Sequence, residues 1–132
     1  MPRKQNNDLL TEVELEFMNV VWETGGGTVR DILAELNKVQ ERAYTSVATV
    51  LKIMEQKGFL TSERRDRSLV YHPTVPKADY QKTTLKNLSS KLFNDTPAAL
   101  VARLVEDEDV TSEMLEEMRA LLNERLGEDN GL

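Results

Sequence analysis

Cysteine is absent from the 132 residues, and histidine occurs once. Without thiols the chain forms no disulfide, no Cys-type zinc finger, no iron–sulfur cluster and no thiol redox switch. The single histidine, His72, lies in a short β-like stretch beside Pro73 and reads as a satisfied or solvent-facing side chain, not a catalytic one. No apolar run is long enough for a transmembrane helix, which needs about 18 residues or more. The segment Met1–Asp8 lacks the apolar core of a signal peptide, so no membrane partner is expected and the cytoplasm is the expected compartment. The run Gly25-Gly26-Gly27 is neither preceded by a strand pattern nor followed by Lys-Ser/Thr, which excludes a phosphate-cradling loop. The acidic run Glu106-Asp107-Glu108-Asp109 lacks the glycine turn and ligand spacing of a calcium loop and reads as a solvated interhelical loop. No enzyme, cofactor or metal is expected.

What is present is 30% charged and 39% hydrophobic residues, the composition of a globular protein rather than a disordered tail. The net charge of −6 is unevenly distributed. Six bases face three acids between Arg42 and Arg67, a net +3, and Lys77–Asn94 carries another +3. From Asp95 to the end, three arginines face eleven acids, a net −8. Salt screens charges beyond about 8–10 Å, so a local basic field can steer a polyanion even on an acidic protein.

Periodicity divides the chain in two. Thr11 with Glu14 forms a capping box, and Leu10 with Leu15 the accompanying hydrophobic staple. Leu15, Met18, Val21 and Trp22 then recur at helical spacing, with Met18 and Trp22 expected in the core, and the three glycines end the helix. Thr28 caps a second helix carrying Ile32, Leu33 and Leu36. A third starts near Ala43 or Thr45, buries Val47, Val50, Leu51 and Met54, and ends at Gly58. Residues 59–65 and 69–72 read as two strands joined across Asp66-Arg67-Ser68, and Pro73 and Pro76 mark a boundary. Helical patterns occupy the rest: 77–93, a helix after Thr96-Pro97, and one from Thr111 or Ser112 through Leu126, with the end from Gly127 frayed. Three short amphipathic helices cannot bury their apolar stripes alone, and a second copy is the simplest partner. The fold class expected is mainly α with a small β-hairpin, with one domain over 1–75 and a helical dimerisation domain over 76–132.

Helix, glycine turn, helix, helix and hairpin is the order of a winged helix-turn-helix, in which the third helix enters the major groove. The polar face of that helix, about 45–57, offers Thr45, Ser46, Thr49, Lys52 and Gln56, suited to base edges and phosphates. The hairpin, 59–72, adds three closely spaced arginines for the DNA backbone. The expected DNA-facing set is Arg42, Tyr44, Thr45, Ser46, Thr49, Lys52, Lys57, Arg64, Arg65 and Arg67. The expected dimerisation set is Leu92, Leu100, Val101, Leu104, Leu115, Met118, Leu121 and Leu122. The alternative is a winged-helix protein–protein interaction module that never touches DNA, although such modules often lack a basic hairpin and a polar third-helix face.

The strings Leu10-Thr11-Glu12-Val13-Glu14 through Trp22, Thr45-Ser46-Val47-Ala48-Thr49-Val50-Leu51 and Glu55-Gln56-Lys57-Gly58-Phe59-Leu60 resemble the BlaI/MecI-type penicillinase repressors. So do Tyr71-His72-Pro73 and the stretch Leu100–Leu122, so the likeness covers about residues 9–125. The resemblance implies a homodimeric repressor of a palindromic operator on double-stranded DNA, with Ser46 and Thr49 facing the bases. Many family members carry Arg where this chain has Ile53, and Lys52 beside it stands in for that backbone contact. The resemblance also implies release by a protease at an Asn-Phe bond, but the aligned bond here is Arg103-Leu104. A copper-sensing branch uses C-terminal cysteines, which this chain lacks. The inducing protease or ligand is left open.

Overall fold

A computed structural model describes residues 9–129. Its elements run α1 (Glu12–Thr24), β1 (Gly27–Thr28), α2 (Val29–Leu36), α3 (Tyr44–Lys57), β2 (Leu60–Arg65), β3 (Ser68–Pro73), α4 (Lys77–Leu92), α5 (Pro97–Val105) and α6 (Ser112–Asp129). They form two compact units, Met1–Thr84 and Leu85–Leu132.

The first unit is built as its capping signals dictate. Thr11 Oγ1 accepts from the Glu14 N–H at 3.1 Å, and the Thr11 N–H donates to Glu14 Oε1 at 2.9 Å. Thr28 and Asp31 repeat the reciprocal pair at the start of α2. Gly25 ends α1 in the left-handed region, at φ 86°. Gly26 is held to glycine by space as well: a Cβ there would lie 2.1 Å from the Tyr71 carbonyl oxygen.

That close approach reflects a strand missing from the sequence reading. The sheet has three strands in the order β1-β3-β2, all antiparallel, with Gly27 opposite Tyr71 and Thr28 opposite Val70. A two-residue strand carries no periodicity, and only its pairing with β3 defines it. The β2–β3 turn is also tighter than expected, because Arg65 pairs with Ser68 and leaves Asp66 and Arg67 alone at the tip.

The core joins Met18 and Val21 of α1, Ile32 and Leu36 of α2, and Val47, Leu51 and Met54 of α3 with Phe59, Leu60 and Tyr71. Phe17, absent from the expected stripe, is fully buried, whereas Trp22 is only half-buried and donates its Nε1–H to the Val75 carbonyl at 2.8 Å. The first unit continues past residue 75 because Tyr80 of α4 is buried in it. Its ring centroid lies 5.8 Å from that of Trp22 and 5.9 Å from that of Phe59, and its hydroxyl accepts from the Leu10 N–H.

In the second unit the pattern is helical as expected, with two corrections at the ends. Thr96 precedes α5 but makes no capping bond, its hydroxyl donating to Asn94 O instead. Helix α6 does not fray at Gly127 and continues to Asp129, since a glycine weakens a helix without ending it. Thr111 caps α6, accepting from the Met114 N–H at 3.2 Å. Among the described residues no helix is long and apolar enough to cross a membrane, and no acidic or histidine cluster is placed to hold a metal ion.

Candidate nucleic-acid interface

Helix α3 presents a polar face because its apolar residues are consumed by the core. Val47, Leu51 and Met54 are fully buried, which leaves Tyr44, Thr45, Ser46, Thr49 and Lys52 exposed. Its N-cap is Ala43, which has no side chain to accept a hydrogen bond, so Thr45 is not the cap. The first N–H groups of α3 are therefore left for an acceptor from outside, at the positive end of the helix dipole. Thr49 Oγ1 donates to the Thr45 carbonyl at 2.9 Å. Its proton is thereby spent, and Thr49 offers the outside only acceptor lone pairs and a methyl group.

The wing, β2–β3, is tied to α3 from behind by Ser62, whose hydroxyl donates to Glu55 Oε2 at 2.8 Å. This places Arg64 and Arg67 beside Tyr44 and Lys52 around a cleft of about 360 Å³. Arg30, at the start of α2, lines the same cleft, with its guanidinium carbon 5.4 Å from the centre of the Tyr44 ring. Arg30 escaped the sequence reading because it lies in an otherwise acidic block. Its position one residue after the Thr28-Val29 helix start was the signal available. Among the described residues no carboxylate lines the cleft. Tyr71 lines it too, and burial first, then the charge of Glu55 and the neighbouring Tyr44, pushes its phenol above the ordinary value of 10.0 and keeps it protonated.

The other expected cations lie elsewhere. Arg65 is turned to Glu63 at 2.5 Å, and Glu63 also meets His72 Nε2 at 3.3 Å. Those two contacts, His72 first, hold the Glu63 carboxyl below its ordinary value. Arg42 reaches Glu16 at 2.8 Å over the ring of Phe17. Lys57 is paired with the buried Glu14 at 2.9 Å. Neither lines the cleft: Lys57 ties α3 to α1, and Arg42 ties the segment before α3 to α1. Ile53 is exposed on α3 next to Lys52.

In the second unit no described residue after Tyr80 is buried. Leu92, Val101, Leu104, Leu115, Leu121 and Leu122 are exposed, while Leu100 and Met118 are half-buried. Leu85, Leu100 and Val101 border one open groove of about 600 Å³. Leu104, Met118 and Leu121 border another, of about 690 Å³. The Arg103–Leu104 bond lies within α5, where Arg103 pairs with Glu106.

The sequence matches the family model described as penicillinase repressor over residues 10–124. It is 26% identical over 116 residues to the methicillin resistance regulatory protein MecI of Staphylococcus aureus (strain Mu50 / ATCC 700699), covering 88% of this chain and 94% of MecI. It is 24% identical over 115 residues to the penicillinase repressor of Bacillus licheniformis, covering 87% and 90% respectively. The solution structure of the DNA-binding domain of the repressor BlaI superposes with a TM-score of 0.52 at 26% identity, over 60% of this chain and 94% of that domain. With a winged-helix unit of this geometry and a match over residues 10–124, the chain belongs to the penicillinase-repressor family, the BlaI/MecI type of transcriptional repressor.

Proposed function

We propose that this chain acts in the cytoplasm as a homodimeric repressor of a palindromic operator, with α3 in the major groove and the wing along the backbone. The observation that carries this reading is the set of exposed cations and hydroxyls on α3 and the wing, free of facing carboxylates in the cleft. Thr45, Ser46 and Thr49 face base edges, and Lys52, Arg64 and Arg67 hold phosphates, with Arg65 in support once Glu63 releases it. Arg42 and Lys57 act on DNA only by bracing α3 and the segment before it against α1.

The dimer is supported by the eleven large apolar side chains that residues 85–129 leave exposed, more than scattered surface residues account for. A two-fold dimer sets its recognition helices about one turn of DNA apart, ~34–36 Å, which matches palindromic half-sites. The Arg103-Leu104 sequence argues for an inducing signal other than cleavage at Asn-Phe.

Fluorescence anisotropy with the DNA upstream of this gene, against scrambled DNA at two salt concentrations, tests the reading. Sequence-preferring, salt-weakened binding by two chains per site is expected. Failure to bind either DNA at low salt would replace it with a protein-interaction module.

A further inference from the structure

The cleft between α2, α3 and the wing gathers cations that are far apart in the sequence. Four cations reach it from three separate segments: Arg30 from the start of α2, Lys52 from α3, and Arg64 and Arg67 from the wing. All four line one concavity. Its volume of about 360 Å³ is that of a small-ligand site, which typically begins at about 300 Å³. Tyr44 and Tyr71 add aromatic rings to its lining, which among the described residues includes no carboxylate.

Arg67 adds a second, independent observation. The turn between β2 and β3 has positive φ at both tip residues, 52° at Asp66 and 75° at Arg67. A two-residue turn of this kind strongly favours glycine at its second position, because any side chain there is strained. Keeping an arginine at such a position, with its side chain on the cleft, points to a use for the guanidinium that outweighs the strain.

We propose that this cleft is a binding site for a compact phosphorylated small molecule, of the class of pyrophosphate and nucleoside diphosphates. Arg30, Lys52, Arg64 and Arg67 converge on the phosphate oxygens, and Tyr44 flanks an attached ring. Fork-shaped guanidinium groups match phosphate oxygens in pairs, which suits a compact anion approached from several sides. Occupancy neutralises the cations that α3 and the wing present to DNA, so the ligand competes with operator. That consequence rests on the function proposed above, whereas ligand binding itself does not.

The test is calorimetric titration of inorganic pyrophosphate, and separately ADP, into the full chain at constant ionic strength. Saturable binding of one anion per chain is expected, with Arg30→Ala and Arg67→Gly each weakening it about tenfold, the loss of one charge-assisted contact. Arg67→Gly is the decisive variant because it relieves the turn: its melting temperature should rise while its anion affinity falls. Arg119→Ala, on α6, should bind as the parent does. No saturable binding, or equal weakening by Arg119→Ala, would overturn the proposal. So would an Arg67→Gly variant that loses DNA affinity but binds pyrophosphate normally, since the cleft would then serve the DNA backbone alone. A chain that binds pyrophosphate through these arginines but binds no DNA would instead sustain the site and remove the repressor reading.

Discussion

Glu14 carries two duties on one buried carboxylate. It completes the α1 capping box and accepts the Lys57 ammonium through both oxygens at 2.9 Å. Burial works to raise its pKa, but the Lys57 and Thr11 hydrogen bonds prevail and the net shift is downward from 4.5. A lowered pKa stabilises the fold at pH above the unfolded value, and that stabilisation fades as pH falls through the folded one. Replacement Glu14→Gln should therefore cost about 1–3 kcal/mol near neutrality. Chemical denaturation as a function of pH should show the variant's stability falling less steeply than the parent's below about pH 4.5. Thr49 illustrates the opposite case, a side chain with spare capacity. With its proton donated to Thr45, it can accept from a base amino group or touch a thymine methyl. Thr49→Ala should reduce operator preference by about 1–3 kcal/mol while leaving affinity for scrambled DNA nearly unchanged. Equal losses on both DNAs would deny it a reading role.

At the scale of elements, the wing, with β1 paired to it, forms the side of the cleft opposite α2 and α3. Gly26 permits β1 to reach β3, and a methyl there would collide with the Tyr71 carbonyl. Gly26→Ala also strains a backbone at φ 113°. A loss of at least about 1–3 kcal/mol is expected, read as a lower urea midpoint with an unchanged slope. Along the wing, Arg65 is already paired with Glu63, whereas Arg64 and Arg67 line the carboxylate-free cleft. Arg64→Ala should then lower the slope of log affinity against log salt by about one unit, and Arg65→Ala by less. Identical slopes in the two variants would remove the distinction. The hairpin was legible from its aromatic and β-branched residues. Strand β1 was not, because two residues next to glycines have no pattern of their own.

For the molecule as a whole, the contrast is between a unit with a closed core and a unit without one. Residues up to Tyr80 bury a full set of apolar side chains, and nothing described beyond it does. Helices whose apolar faces find no partner within a chain are stable only when another surface covers them. Met118→Asp, placing a charge in the groove beside Leu104 and Leu121, should yield monomers by sedimentation and weaken operator binding along with dimerisation. A dimer that survives at micromolar concentration would contradict that interface.

The sequence by itself determined the helices, the caps at Thr11, Thr28 and Thr111 and most of each apolar stripe, because capping boxes, glycine stops and 3.6-residue periodicity are local physics written in neighbouring residues. It also determined the resemblance to penicillinase repressors, through strings along most of the chain. Tertiary structure decided which cations are free. Lys57 and Arg42 look like Lys52 and Arg64 in a sequence, and only packing turns the first two onto Glu14 and Glu16. It likewise brought Arg30 to the cleft and carried the first unit past residue 75, with Tyr80 buried in it. Those outcomes depend on residues far apart in the chain meeting in space, and a side chain's partner is chosen by that meeting, not by its neighbours in sequence.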